Sequence, residues 1–356
     1  MTTGWYGRAI LRWERELNSR DPHRVVRPFE WGWEWLRTTP IDGLPQRSAD
    51  LNLEALQGWT QRALHASDAL FSYSRVHDYR LDDGWLRFTS PIPSPYPENQ
   101  VVHGRWFPAK HRSGRKRAVV VLPQWNSDGE GHMGLGRLFQ RFGVSALRMS
   151  PPYHDVRMPG DLKRAEYTVD SNVGRTIAAA RQAVCEVRAC LDWLQDQGYE
   201  SLGVMGTSLG SCYAFLTTCH DARLRVNAFN HVSAYFGDVV WTGISTRHVK
   251  AGLAAHLGQD ALREAWRVIS PFSYIDKLAQ PEYLAGGAHA KRHLLVHARY
   301  DPTFLPEYSR DVLAAFRRLR IPHQSLALPC GHYTIGRWPF KVVDAYALTR
   351  FLCRWL

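Results

Sequence analysis

Ser201-Leu202-Gly203-Val204-Met205-Gly206-Thr207-Ser208-Leu209-Gly210-Ser211-Cys212-Tyr213 is the stretch from which the rest of the chain can be read. An apolar run, Leu202 to Met205, enters Gly206-Thr207-Ser208-Leu209-Gly210 and continues into Cys212, Tyr213, Ala214, Phe215 and Leu216. That pattern is a buried strand, a sharp turn and a helix packed back on the strand. Glycines two positions either side of Ser208 leave room for a bend that Cβ atoms would obstruct. The bend would lift the Ser208 hydroxyl to the start of the helix, as in a nucleophile elbow. Chance alone produces a G-x-S-x-G match in roughly one chain in ten of this size, so the pentapeptide needs partners.

A serine hydroxyl is a poor nucleophile unless a base takes its proton, and the base needs a group to orient it. Two loops that follow apolar runs supply candidates. Leu294 to Ala298 leads into Asp301-Pro302, where proline fixes the turn, and Leu326 to Leu328 leads into Gly331-His332. Alone, Asp301 also reads as a turn-capping aspartate, and His332 is one of 16 histidines. Together, in the order Ser, Asp, His and each after a predicted strand, they point to a nucleophile, an acid and a base.

The elbow, Asp301 in R-Y-D-P and His332 in C-G-H-Y resemble the α/β-hydrolase superfamily over roughly Trp85 to Leu356. The wording of Pro151-Pro152-Tyr153-His154 and of Gly206 to Cys212 looks like a little-characterised bacterial branch of it. The resemblance implies Ser208 as nucleophile, Asp301 as orienting acid and His332 as general base. It also implies an oxyanion hole from the Leu209 backbone N–H and from the loop after Ala118 to Leu122. Many relatives have His-Gly in that loop, whereas here it reads Pro123-Gln124-Trp125-Asn126. By position the second donor is the Trp125 N–H, with Gln124 next, since proline has no N–H. Trp125 as no more than a pocket wall is the other reading. Tyr153 and His154, directly after the Val144 to Met149 strand, fall on the active rim as substrate-contact candidates, or as a rigid Pro-Pro turn. Arg148 and Arg157 are candidates for attracting an anionic substrate group, or ordinary exposed arginines with no specific role, and His231 is a further rim candidate.

Outward from the elbow, apolar β-branched runs alternate with helical periods. Strands are expected over 84–90, 100–107, 118–122, 144–149, 202–205, 226–232, 293–298 and 323–328. The first two, separated by a Pro-rich turn at Pro91, Pro93, Pro95 and Pro97, are expected to pair antiparallel and, with a further turn at Ser113-Gly114, to form the entrance to the sheet. Helices are expected over 5–17, 51–70, 135–142, 172–197, 209–219, 308–319 and 342–356. The clearest is 172–197, where Ile177, Ala180, Val184, Val187, Leu191 and Leu194 recur every three or four residues and Gly198 stops the run. The expected fold is therefore α/β: a mostly parallel central sheet covered by helices on both faces. Residues 1–80, rich in Trp and Pro, form an N-terminal extension, a cover over the main domain or a carbohydrate-binding surface. The hydrolase domain spans 81–356. Within it, 235–280 has the place of a helical cap, with Phe236, Trp241, Ile244, Trp266 and Phe272 as pocket aromatics, or of extra helices on the core edge.

Bulk composition narrows the function classes. A hydrophobic share of 45% with 22% charged residues suits a folded domain and not a disordered one. The net charge of +12 is scattered, with short clusters at Lys110 to Arg117 and Arg317 to Arg320 and no nucleic-acid-binding motif. A solvated basic surface is the reading, with no nucleic acid partner. Six cysteines without a C-x-x-C pair read as free thiols of a reducing compartment. No secretory signal and no membrane span are read, so the expected location is the cytoplasm. No metal-ligand spacing, P-loop or dinucleotide glycine pattern occurs, and neither cofactor nor metal is expected. The expected activity is that of a serine hydrolase cleaving a small-molecule carboxylic ester through an acyl-enzyme. The same residues would serve a thioesterase, amidase or acyltransferase, and a non-catalytic binding protein on this fold is the alternative outside enzymes.

Overall fold

Alternating apolar residues in the strands turn two layers of the protein toward a common sheet. The computed structural model describes residues 4–110 and 115–356, so the expected turn at Ser113-Gly114 lies outside the described residues. The strands are β1 (Arg80–Asp82), β2 (Trp85–Thr89), β3 (Val101–Phe107), β4 (Arg117–Leu122), β5 (Ser145–Met149), β6 (Ser201–Thr207), β7 (Leu224–Asn230), β8 (Arg292–Ala298) and β9 (His323–Leu328). They form a sheet in the order β1-β2-β3-β5-β4-β6-β7-β8-β9. Pairing is antiparallel from β1 to β5 and parallel from β5 to β9.

Because successive side chains in a strand point to opposite faces, each central strand feeds two cores. Val120, Leu122, Leu147, Val204, Phe229 and Leu295 face one layer, which holds the helices Val173–Asp196, Leu209–His220 and Pro306–Arg318. Val119, Val121, Ala146, Met205, Ala228 and Val296 face the other, beneath the helices Met133–Arg141 and Phe340–Trp355. β6 is buried along its whole length, as a strand covered on both sides must be. The helix Val173–Asp196 is capped by Asn172, whose side chain accepts from the Arg175 N–H, and the chain leaves it through Gly198 at φ +77°.

Departures from the expected elements have local causes. β1 is absent from the sequence reading because its three residues are all exposed and show no apolar alternation. The expected helix 51–70 breaks at Ala66 into Leu53–His65 and Ser67–Leu70. Within the Trp- and Pro-rich N-terminal extension, Trp33–Leu36 forms one helical turn that no periodicity marked. The N-terminal residues pack against the sheet's helical layer: Leu56, Trp59, Ala63, Leu70 and Phe71 are fully buried in the same core as β4 and β6. Residues 235–280 fold into the helices Phe236–Thr242, Arg247–Leu253 and Gln259–Ala265 followed by 3-10 turns. Phe236 lines the cavity described below. Trp266 is fully buried in the core, with its Nε1–H on the Val173 carbonyl at 3.2 Å.

Candidate active site

Ser208 sits between β6 and the helix Leu209–His220 at φ 55°, ψ −119°. A residue with a Cβ pays about 1–3 kcal/mol for so sparsely populated a conformation, and it persists only where the surroundings hold it. Here the Ser208 N–H donates to the Asn230 carbonyl at 2.8 Å, while its own carbonyl accepts from the Ser211 N–H at 2.8 Å and the Ser211 hydroxyl at 2.7 Å. The two flanking glycines are required by contact. A Cβ on Gly206 would collide with the Gly210 carbonyl, and one on Gly210 with the Leu122 and Pro123 carbonyls.

The structure brings Ser208, His332 and Asp301 into one hydrogen-bonded chain. Ser208 Oγ is 2.8 Å from His332 Nε2, and His332 Nδ1 is 2.8 Å from Asp301 Oδ2. Asp301 follows β8, and its second oxygen accepts from the Thr303 and Phe304 N–H groups, both at 2.8 Å. Asp301 Oδ2 also meets His231 Nδ1 at 3.1 Å, from the residue that follows β7. Burial alone would push the Asp301 carboxyl up. The charge of His332 and the hydrogen bonds from His231 and His332 outweigh it, holding the carboxyl well below the usual range. For His332, burial works toward the neutral ring, yet the Asp301 carboxylate, helped by Glu14, raises it above the ordinary imidazole value. His231 goes the other way: burial, then the neighbouring His332, lowers it.

The loop carrying His332 is held from the far end of the sequence. Glu14, on the helix Trp5–Ser19 and fully buried, accepts the Tyr333 N–H on both oxygens at 3.1 and 3.0 Å and the Thr334 N–H at 2.7 Å. Tyr6 on the same helix donates to the Pro329 carbonyl at 2.7 Å. Sequence reasoning had no signal for Glu14, because its partners lie more than three hundred residues away.

A cavity of about 1160 Å³ opens over the serine, lined among others by Ser208, Leu209, His332, Trp125, Phe236 and Val239. Among the described residues, the backbone N–H groups of Leu209, Gln124 and Trp125 meet no acceptor, and all three residues line this cavity. The Asn126 N–H is already used: it donates to His154 Nε2 at 3.1 Å. The loop is strapped further by the Trp125 Nε1–H on the Ala165 carbonyl and by Asn126 Oδ1 on the Ala165 N–H, both at 2.8 Å.

Other sequence candidates lie elsewhere. Tyr153 and His154, expected at the substrate rim, are buried and do not line the cavity over Ser208. Tyr153 packs in an aromatic group with Tyr96 and Tyr167, and His154 sits behind the 124–126 loop with Nδ1 2.8 Å from the Pro152 carbonyl. Burial keeps the His154 ring neutral, lowered to about 4. Arg148 and Arg157 are internal: Arg148 pairs with Asp155 at 2.7 Å, and Arg157 makes a fork to both Glu186 oxygens at 2.7 and 2.6 Å. Neither is placed to attract an anion.

Among the described residues, one group has several potential metal-ligating atoms close together, and it is His231, Asp301 and His332 themselves. Both Nδ1 atoms stand at hydrogen-bond distance from a single carboxylate oxygen, so the ring protons fill the space that a cation would take.

The family model for alpha/beta hydrolase domain containing 18 matches residues 88–271, just over half of the chain. The chain belongs to this alpha/beta hydrolase family. The matched region contains Ser208 and its elbow, whereas Asp301 and His332 lie beyond it and are joined to the serine by the geometry above. No curated protein matches the chain. Among solved structures it is similar to a Pyrococcus horikoshii acylaminoacyl peptidase at 13% identity and a TM-score of 0.57, over 80% of this chain and 42% of that one. It is also similar to an acetyl xylan esterase from Paenibacillus sp. R4 at 15% identity and a TM-score of 0.55, over 96% of this chain and 99% of that one. The chain thus spans about two fifths of the peptidase's length, and at these identities the likeness is one of fold. Among the described residues no helix is long and apolar enough to cross a membrane.

Proposed function

We propose that the chain is a serine hydrolase that cleaves a carboxylic ester through an acyl-enzyme on Ser208. The observation that carries this reading is the unbroken hydrogen-bond chain from Ser208 Oγ through His332 to Asp301 at the wall of the cavity. His332 Nε2 takes the Ser208 proton as Oγ attacks the ester carbonyl. Asp301 holds the Nδ1–H tautomer and stabilises the imidazolium that forms. The tetrahedral oxyanion is received by the Leu209 N–H and the Trp125 N–H, with Gln124 as the neighbouring donor. Collapse expels the alcohol, which leaves with the proton from His332. A water deprotonated by the same imidazole then attacks the acyl-serine and releases the acid.

Short p-nitrophenyl esters and a fluorophosphonate probe test this reading. The expected result is turnover and covalent labelling, both lost in Ser208→Ala. Purified, folded protein that neither turns over nor labels would remove the hydrolase reading. Matched ester, thioester and amide substrates, with and without an acceptor alcohol, separate the esterase from the other activities these residues serve.

A further inference from the structure

Resting on the hydrolase reading, the geometry around Asp301 extends the chain by one residue. Asp301 Oδ1 is saturated by the Thr303 and Phe304 N–H groups, and Oδ2 is shared by two imidazoles, His332 at 2.8 Å and His231 at 3.1 Å. His231 is 1% exposed, its ring centroid lies 4.3 Å from that of His332, and its Nε2 has no partner among the described residues. Its backbone is at φ +59°, an uncommon conformation for a residue with a Cβ. The chain is held there by the Val232 N–H on the Val296 carbonyl at 3.1 Å, while the Ser211 hydroxyl, which donates over the shorter 2.7 Å to the Ser208 carbonyl, lies 3.0 Å from the His231 carbonyl. A left-handed backbone at the end of β7 thus aims this ring at the carboxylate of the β8 loop. With Nδ1 facing a carboxylate, the proton sits on Nδ1.

We infer that His231 is a positioning residue for the base: its Nδ1–H clamps Asp301 and takes up part of the carboxylate's charge. Two consequences follow. The carboxylate cannot rotate away from His332 without breaking the His231 bond and two backbone bonds. A carboxylate that shares its charge with a second donor also draws the His332 proton less strongly, so His231 keeps the base available at lower pH. The other titratable groups facing this set are Glu14 and Cys330 beside His332 and Asp301, and His297 beside His231. They are present unchanged in every variant below.

The test compares His231→Phe, which keeps the ring volume but has no donor, with His231→Asn, which keeps a short donor and tolerates a left-handed backbone. The readout is the pH dependence of fluorophosphonate labelling at Ser208, beside the downfield imidazole N–H signals in the proton NMR spectrum. Removing the clamp leaves more charge on Asp301 for His332, which then holds its proton to higher pH. The expected result for His231→Phe is labelling slowed about tenfold at neutral pH, with the acid limb moved up by half a unit or more. His231→Asn should recover to within threefold and return the limb. The wild-type spectrum should show two downfield N–H signals, of which His231→Phe loses one and shifts the other. A folded His231→Phe whose labelling is slowed equally at every pH, or not slowed, with the remaining signal unshifted, overturns the inference. Wild-type protein that does not label removes the hydrolase reading, and the spectrum still decides whether His231 clamps Asp301.

Discussion

Replacing Glu14 by Ala should disable the His332 loop from the opposite end of the chain. The substitution removes the acceptor of two backbone N–H groups, Tyr333 and Thr334, one of them bound at 2.7 Å. Each buried donor left without a partner costs about 1–3 kcal/mol, so the two together cost about 2–6 kcal/mol, less whatever water entering the vacated space restores. The melting midpoint should fall by on the order of 3–8 °C. The larger effect is local. His332, the proposed base, directly precedes the two released N–H groups, and its displacement by about 1 Å would cost about a hundredfold in rate. Glu14→Gln keeps one accepting oxygen and should lose about tenfold. Glu16→Ala on the same helix, whose side chain is 54% exposed in its pair with Arg20, is the control and should change neither property. Fluorophosphonate labelling rates and thermal melting, measured on all three, decide the matter. A folded Glu14→Ala that labels at the wild-type rate would refute the claim that the N-terminal helix holds the proposed base.

Three further outcomes are expected. Asp301→Asn should slow ester turnover by about 10³–10⁴-fold, because the wrong imidazole tautomer is then held, and should lower the melting midpoint, because the amide no longer accepts from both imidazoles; stopped assays on a p-nitrophenyl ester and thermal melting measure the two effects. His154 is kept neutral by burial at about 4 against an ordinary 6.5, so the unfolded chain binds its proton first as the pH falls. Its contribution, about 3 kcal/mol, is present above pH 6.5 and lost as the pH falls to 4. His154→Gln should flatten urea-midpoint-against-pH curves in that window, and an unchanged slope would contradict the assignment. Asp344 is pushed by burial to about 7 from 3.8, and its Oδ2 accepts the Asn230 side-chain N–H at 2.8 Å. A raised carboxyl stabilises the fold least once deprotonated, so Asp344→Asn should gain up to about 4 kcal/mol at pH 8 and little below pH 4. Equal midpoints at both pH values would refute that.

The elbow was legible because its requirements are local. Gly206 and Gly210 are dictated by carbonyls of the same turn and of the strand beside it, and strand, turn and helix follow one another within thirteen residues. Asp301 and His332 were legible from their places after β8 and β9, since a parallel sheet collects the ends of its strands on one rim. Tyr153 and His154 satisfied the same rule and still lie away from the cavity. Rim position says where a loop starts, while packing against Tyr96, Tyr167 and the 124–126 loop decides which way its side chains turn. Arg148 and Arg157 read as exposed and are buried for a related reason: their partners, Asp155 and Glu186, become neighbours only in the folded chain and draw both guanidinium groups inward.

What the sequence by itself determined is the mostly parallel sheet without its exposed edge strand β1, the order of the other strands along the chain, and the places of Ser208, Asp301 and His332 after β6, β8 and β9. Each of these depends on periodicity or on turn chemistry within a few positions. Only the tertiary structure decided that Asp301 answers to two imidazoles, that the Asn126 N–H is spent on His154, and that Glu14 carries the loop of His332. Such contacts join residues dozens to hundreds of positions apart, and no local pattern records a hydrogen bond that exists only after the chain has closed on itself.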